Sequence, residues 1–80
     1  MQRSAILKLM HQVLERQGLA VPSGEHVELR ELGFRSLDFS ELALRVESVL
    51  GRELNFDASR LRNIRTVSDV LDFFQHASIG

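Results

Sequence analysis

Cysteine is absent from this chain, as are tryptophan and tyrosine. Without a thiol, no disulfide, no thiolate metal site and no cysteine nucleophile can form. Proline occurs once, at Pro22, and the aromatic side chains are five phenylalanines. Neither sign of charge dominates: ten Lys and Arg against eleven Asp and Glu leave a formal charge of −1. That balance excludes the basic footprint of a general nucleic-acid binder. No apolar run approaches the ~20 residues of a bilayer span, and Ala5-Ile6-Leu7 is too short for a signal-peptide core. A soluble, cytoplasmic protein is therefore expected. What remains is an ordinary globular composition, 44% apolar and 26% charged, in 80 residues. That length holds one domain over residues 1–80 and one modest core, without room for a deep enzyme pocket.

The chain contains no repeat and no low-complexity tract; helical periodicity alternates with loop signals. Over residues 4–17, Ile6, Leu7, Met10, Val13 and Leu14 share a helical face, with Ser4 as the expected cap and Gly18 as the stop. Residues 18–35 read as a long connection broken by Pro22, Ser23, Gly24 and Gly33. Val27, Leu29, Leu32 and Phe34 are its candidate anchors on the core, and a lone strand there has no obvious partner. A second helix is expected over 36–50, burying Leu42, Val46, Val49 and Leu50 with Phe39 toward its start, and closed by Gly51. Asp57 is the expected cap of a short helix reaching Asn63. Thr66-Val67-Ser68-Asp69 has the form of a capping box, opening a last helix to about His76 whose face is Val67, Val70, Leu71 and Phe74. Three longer helices and one short one make an all-α bundle.

Chemistry concentrates in Leu32-Gly33-Phe34-Arg35-Ser36-Leu37-Asp38-Phe39-Ser40-Glu41-Leu42. A glycine loop delivers Ser36 to the start of a helix with acidic residues behind it. Taken alone, the serine is a helix cap, and Asp38 in the first turn suits the helix dipole. The same geometry exposes a hydroxyl where an attached phosphate would meet backbone N–H groups. No histidine lies in the segment, so nothing activates Ser36 as a nucleophile. It would be modified by another enzyme, and the protein itself is expected to be non-catalytic.

These residues resemble the acyl carrier protein family. The resemblance is carried by Leu32-Gly33-x-x-Ser36-Leu37-Asp38 followed by Glu41-Leu42, then by Ile64-x-Thr66-Val67 leading into the last helix. It covers the chain from the first helix to about Phe74. It implies an acyl-carrier-like four-helix bundle with a long first loop, a monomer, in which Ser36 receives 4′-phosphopantetheine from coenzyme A. A separate phosphopantetheinyl transferase attaches that cofactor using magnesium. Its thiol carries acyl groups as thioesters between acyl-loading, condensing and acyl-transfer enzymes in fatty-acid, polyketide or related biosynthesis. The lack of cysteine accords with a thiol that comes from the cofactor. Carriers of fatty-acid synthesis usually have aspartate before this serine; here the residue is Arg35. A cation there can contact the cofactor phosphate, and the difference points to a dedicated or a tolerant transferase.

The resemblance also makes the second helix a docking surface beside Arg35, with Leu37, Ser40, Glu41, Leu44, Arg45 and Ser48 expected to face outward. Family partners usually bring basic patches to an acidic helix. Asp38, Glu41 and Glu47 fit that pattern, whereas Arg45 and Arg52 dilute it: residues 31–60 hold six acidic and four basic side chains. A specialised partner set is the expectation, with Leu44 as a partly exposed apolar contact. Phe34, Phe39, Phe56, Phe73 and Phe74 read as core or loop anchors, some of them lining or filling the cavity in which family members shelter an acyl chain. Arg60, Arg62 and Arg65 read as a solvated face, and His11, His26 and His76 lack metal-ligand spacing. Three other readings remain. A peptidyl or aminoacyl carrier commonly has Gly-Gly-x-Ser, which Gly33-Phe34-Arg35-Ser36 lacks. An unmodified helical interaction domain would keep Ser36 only as a cap. A helix-turn-helix DNA binder would need a basic recognition helix, where this chain offers Asp38, Glu41 and Glu47.

Overall fold

The computed structural model describes residues 1–55 and 58–78. The longest helices form where apolar residues recur at helical spacing. Helix α1 (Arg3–Arg16) buries Ile6, Met10, Val13 and Leu14, α3 (Ser36–Leu50) buries Leu42, Ala43 and Val46, and α4 (Val67–Ala77) buries Val67, Val70, Leu71 and Phe74. Helix α1 packs against both α3 and α4, and the three apolar stripes meet in one core. Between them lie α2, a single turn at Leu29–Leu32, and a 3-10 helix at Ala58–Asn63. The described residues form a small all-helical bundle, and no helix among them is long and apolar enough to cross a membrane.

Several local expectations change. Ser4 does not cap α1: the helix begins one residue earlier, with Gln2 at the cap position, and the Gln2 carbonyl accepts from Ala5 N–H and Ile6 N–H at 3.1 and 3.2 Å. Val49 lies on the face of Leu42 by periodicity, yet it is 59% exposed because none of the described residues covers that side of the last turn. The lone strand considered for the first connection reduces to one antiparallel bridge, between Glu28 and Thr66. Main-chain bonds from Leu29 N–H to Arg65 O (2.8 Å) and from Ser68 N–H to Glu25 O (2.8 Å) hold that connection onto the start of α4. Helix α2 escapes a periodicity argument because four residues are too few to show a period. Asp57, the expected cap of the short helix, and Phe56 lie outside the described residues.

The capping box at α4 is present as its sequence implies. Thr66 Oγ1 accepts from Asp69 N–H at 3.2 Å, and Asp69 Oδ2 accepts from Thr66 N–H and Arg65 N–H, each at 3.0 Å. Thr66→Ala is expected to cost about 1 kcal/mol in chemical denaturation. The Arg3 guanidinium ties the start of α1 to the first connection and to α4. It donates to Glu25 Oε1 at 2.6 Å and to Ser68 Oγ at 2.9 Å, and it also reaches Asp72.

Both ends of this arrangement depend on ionised carboxylates. Hydrogen bonding from Arg3 holds the Glu25 carboxyl below its usual range, and the Arg65 N–H, followed by Thr66, does the same for Asp69. A carboxylate with a depressed folded pKa contributes stability that is complete above its unfolded pKa of ~4 and is lost as pH falls through the folded value. Urea-unfolding midpoints are therefore expected to drop steeply below about pH 4, and Asp69→Asn to flatten that dependence.

Candidate functional site

The site begins at the end of α2. Gly33 has φ +77°, a left-handed conformation that costs an L-residue with a side chain ~1–2 kcal/mol. This turn lets Phe34 N–H return to Leu29 O at 3.0 Å and drives the Phe34 ring into the core, where it is 6% exposed. A Cβ added at Gly33 would also lie 3.4 Å from Leu19. The chain leaves this turn extended at Arg35, which takes the cap position of α3, so that Ser36 becomes the first helical residue.

Ser36 does not cap the helix. That work falls to Asp38, whose Oδ2 accepts from Arg35 N–H at 2.9 Å and which is 7% exposed. The Ser36 side chain is exposed, and its hydroxyl has no hydrogen-bond partner among the described residues. Arg35 beside it is exposed too. The hydroxyl thus stands at the positive end of a 15-residue helix, with a cation alongside.

Next to Ser36 opens a cavity of about 720 Å³, walled mainly by Phe34, Phe39, Ala43, Leu54, Leu61 and Ile64. Ser36, Ser40 and Leu44 also line it, and because they are exposed they form its rim. The volume falls within the roughly 300–1,000 Å³ of small-ligand sites. Of the described phenylalanines, Phe34 and Phe39 line this cavity. Phe39 stacks on Phe74 with ring centroids 5.0 Å apart and meets the edge of Phe73 at 5.5 Å. Glu47 helps to shape the cavity, accepting from Leu54 N–H at 2.7 Å and so fixing the segment after α3. Sequence reasoning did not assign Ala43, Leu54, Leu61, Ile64 or Glu47 to this wall; the spacing of Leu61 and Ile64, one helical turn apart, is the signal that was available.

The expected docking residues divide into two groups. Leu37 and Leu44 are 85% and 65% exposed, and Ser40 and Ser48 are exposed with them on the outer face of α3. Glu41 and Arg45 do not face outward. They sit half-buried on the α1 side, 3.4 Å apart, and Arg45 also donates to Gln12 at 3.1 Å. Asp38 is buried, so it too is removed from the outer face. No group of His, Asp and Glu able to hold a metal ion occurs among the described residues. Comparison with known proteins finds no matching family model, no matching curated protein and no matching solved structure.

Proposed function

We propose that the chain is an acyl carrier protein, modified on Ser36 with 4′-phosphopantetheine. The observation that carries this reading is the exposed Ser36 hydroxyl at the first position of α3, relieved of capping by Asp38 and standing at the rim of an apolar cavity. The motif resemblance adds to it, because Ser36 is the residue at which the family's attachment serine stands. The residues present fit a phosphate ester there. First-turn N–H groups of a helix lack main-chain acceptors and favour an anion, and the exposed Arg35 guanidinium supplies a charge-assisted donor.

When attached, the cofactor supplies a thiol that holds an acyl group as a thioester. The chain supplies position and shelter. Ser36 fixes the anchor point, the arm's tether raises the effective concentration of cargo at a docked enzyme, and the cavity offers an apolar surface that excludes water from part of an acyl chain. Leu37 and Leu44 present an apolar contact to a partner beside the anchor. Among the described residues, no side chain near Ser36 is arranged as a general base, and in this reading the transfer chemistry belongs to the partner enzymes.

Incubation with coenzyme A, magnesium and a broad-specificity phosphopantetheinyl transferase, followed by intact mass measurement, tests the reading. A gain of one phosphopantetheine is expected. Arg35→Asp is expected to be modified faster by a transferase adapted to aspartate before the serine. An absence of any gain in both proteins would remove the carrier reading and leave a helical interaction domain in its place.

A further inference from the structure

The cavity beside Ser36 has a direction. Side chains three or four residues apart on a helix share one side, and Ser36, Ser40, Ala43 and Glu47 follow one another along α3 at that spacing, each lining the cavity. From Ser36 to Glu47 the helix rises about 16 Å, so the cavity runs along three of its turns. Its two ends differ in charge. Arg35 lines the end at Ser36; it is exposed, and its guanidinium has no ion-pair or hydrogen-bond partner among the described residues. Glu47 lines the other end and is half-buried. Its Oε2 accepts from Leu54 N–H at 2.7 Å, whereas its Oε1 has no partner among the described residues. No other charged side chain among the described residues lines the cavity, and Leu54, Leu61 and Ile64 give it an apolar wall facing α3.

We propose that this cavity takes an extended aliphatic chain whose acyl or anionic end lies at Arg35 and Ser36 and whose far end brings an amine to Glu47. Three backbone bonds of an extended peptide advance ~3.5 Å, and at that rate on the order of 12–14 bonds join the two ends. Glu47 decides what the far end can be. A methyl group there would displace water from Oε1 and return no donor, and a half-buried polar group left without its hydrogen bond is costly. A second carboxylate would bring like charges together. An ammonium supplies a charge-assisted hydrogen bond, and a hydroxyl supplies a donor without the charge. That such a chain is the cargo rests on the carrier reading; the preference of the cavity does not.

The test titrates the unmodified full chain with four acids of equal chain length: 12-aminododecanoic, 12-hydroxydodecanoic, dodecanoic and dodecanedioic acid. Calorimetry gives the affinities, and amide NMR shifts locate the site. The amino acid is expected to bind tightest, at least about tenfold more tightly than the diacid, with the hydroxy acid second and dodecanoic acid behind it. Shifts are expected at residues 35–47, 54, 61 and 64. Glu47→Gln keeps an oxygen to accept from Leu54 N–H, and it is expected to bring the amino acid and the diacid to within about threefold. Arg35→Gln is expected to weaken all four acids by a similar factor. The ranking on the native chain stands without either variant. Tightest binding of dodecanoic acid, equal affinities, binding by none of the four, or a preference that survives Glu47→Gln with the fold confirmed by circular dichroism overturns the proposal. Shifts confined to residues outside the cavity also overturn it. No readout requires modified Ser36, so failure here and failure of the carrier reading are separate results.

Discussion

Ser36→Ala is expected to take up no phosphopantetheine under conditions that modify the native chain fully, while its unfolding free energy stays within ~0.5 kcal/mol of the native value. The two halves of this result come from one piece of geometry. A serine that caps a helix would cost ~1 kcal/mol on truncation, but here the carboxylate of Asp38 performs the capping, and Ser36 is exposed. Asp38→Ala supplies the contrast. It removes a buried acceptor and leaves Arg35 N–H without its partner, so a loss of ~1–2 kcal/mol is expected. Intact mass after transferase treatment and urea denaturation of the two variants check both outcomes. A large stability loss in Ser36→Ala with Asp38→Ala near neutral would return the serine to a capping role.

Phe74→Ala is expected to produce the largest loss of stability, ~3–5 kcal/mol. Phe74 is fully buried and stacks on Phe39 with ring centroids 5.0 Å apart. At roughly 0.05–0.15 kcal/mol per residue, an 80-residue domain holds only about 4–12 kcal/mol in total. The variant therefore approaches the limit of folding at room temperature. The effect extends to the site, because Phe39 walls the cavity beside Ser36 and leans on Phe74. Thermal and urea denaturation followed by circular dichroism measure it. A loss below about 1 kcal/mol would contradict the packing described here.

The parts of this fold that follow from sequence are those set by neighbours a few residues apart. Helix α3 spans the residues its pattern implies, Ser36–Leu50, because Leu42 and Val46 set its face and Gly51 closes it at φ +72°. The Thr66–Asp69 box is equally local, both partners lying within one helical turn. Features decided by what covers a residue were not available from spacing. Val49 keeps the right period but has no neighbour over it among the described residues, and Ser4 sits inside a helix that starts at Arg3. The candidate site divides along the same line. The position of Ser36 and the exposure of Leu44 follow from a helix that starts after Gly33, whereas the cavity needs Leu54, Leu61 and Ile64 brought back across α3. Charge shows the difference most clearly. In the sequence, Asp38, Glu41 and Glu47 look alike as docking acids; in three dimensions each has an internal partner.

The claim that Ser36 is an attachment point is tested most directly by mapping the modified residue. Trypsin cuts after Arg35 and Arg45, releasing a peptide of residues 36–45 that contains both Ser36 and Ser40. After treatment with coenzyme A, magnesium and a broad-specificity transferase, fragment masses of that peptide are expected to place a single phosphopantetheine on Ser36 and leave Ser40 free. Attachment at Ser40, or a Ser36 that stays unmodified both in this peptide and in the peptide of residues 31–45 that trypsin releases from Arg35→Asp, would contradict the account.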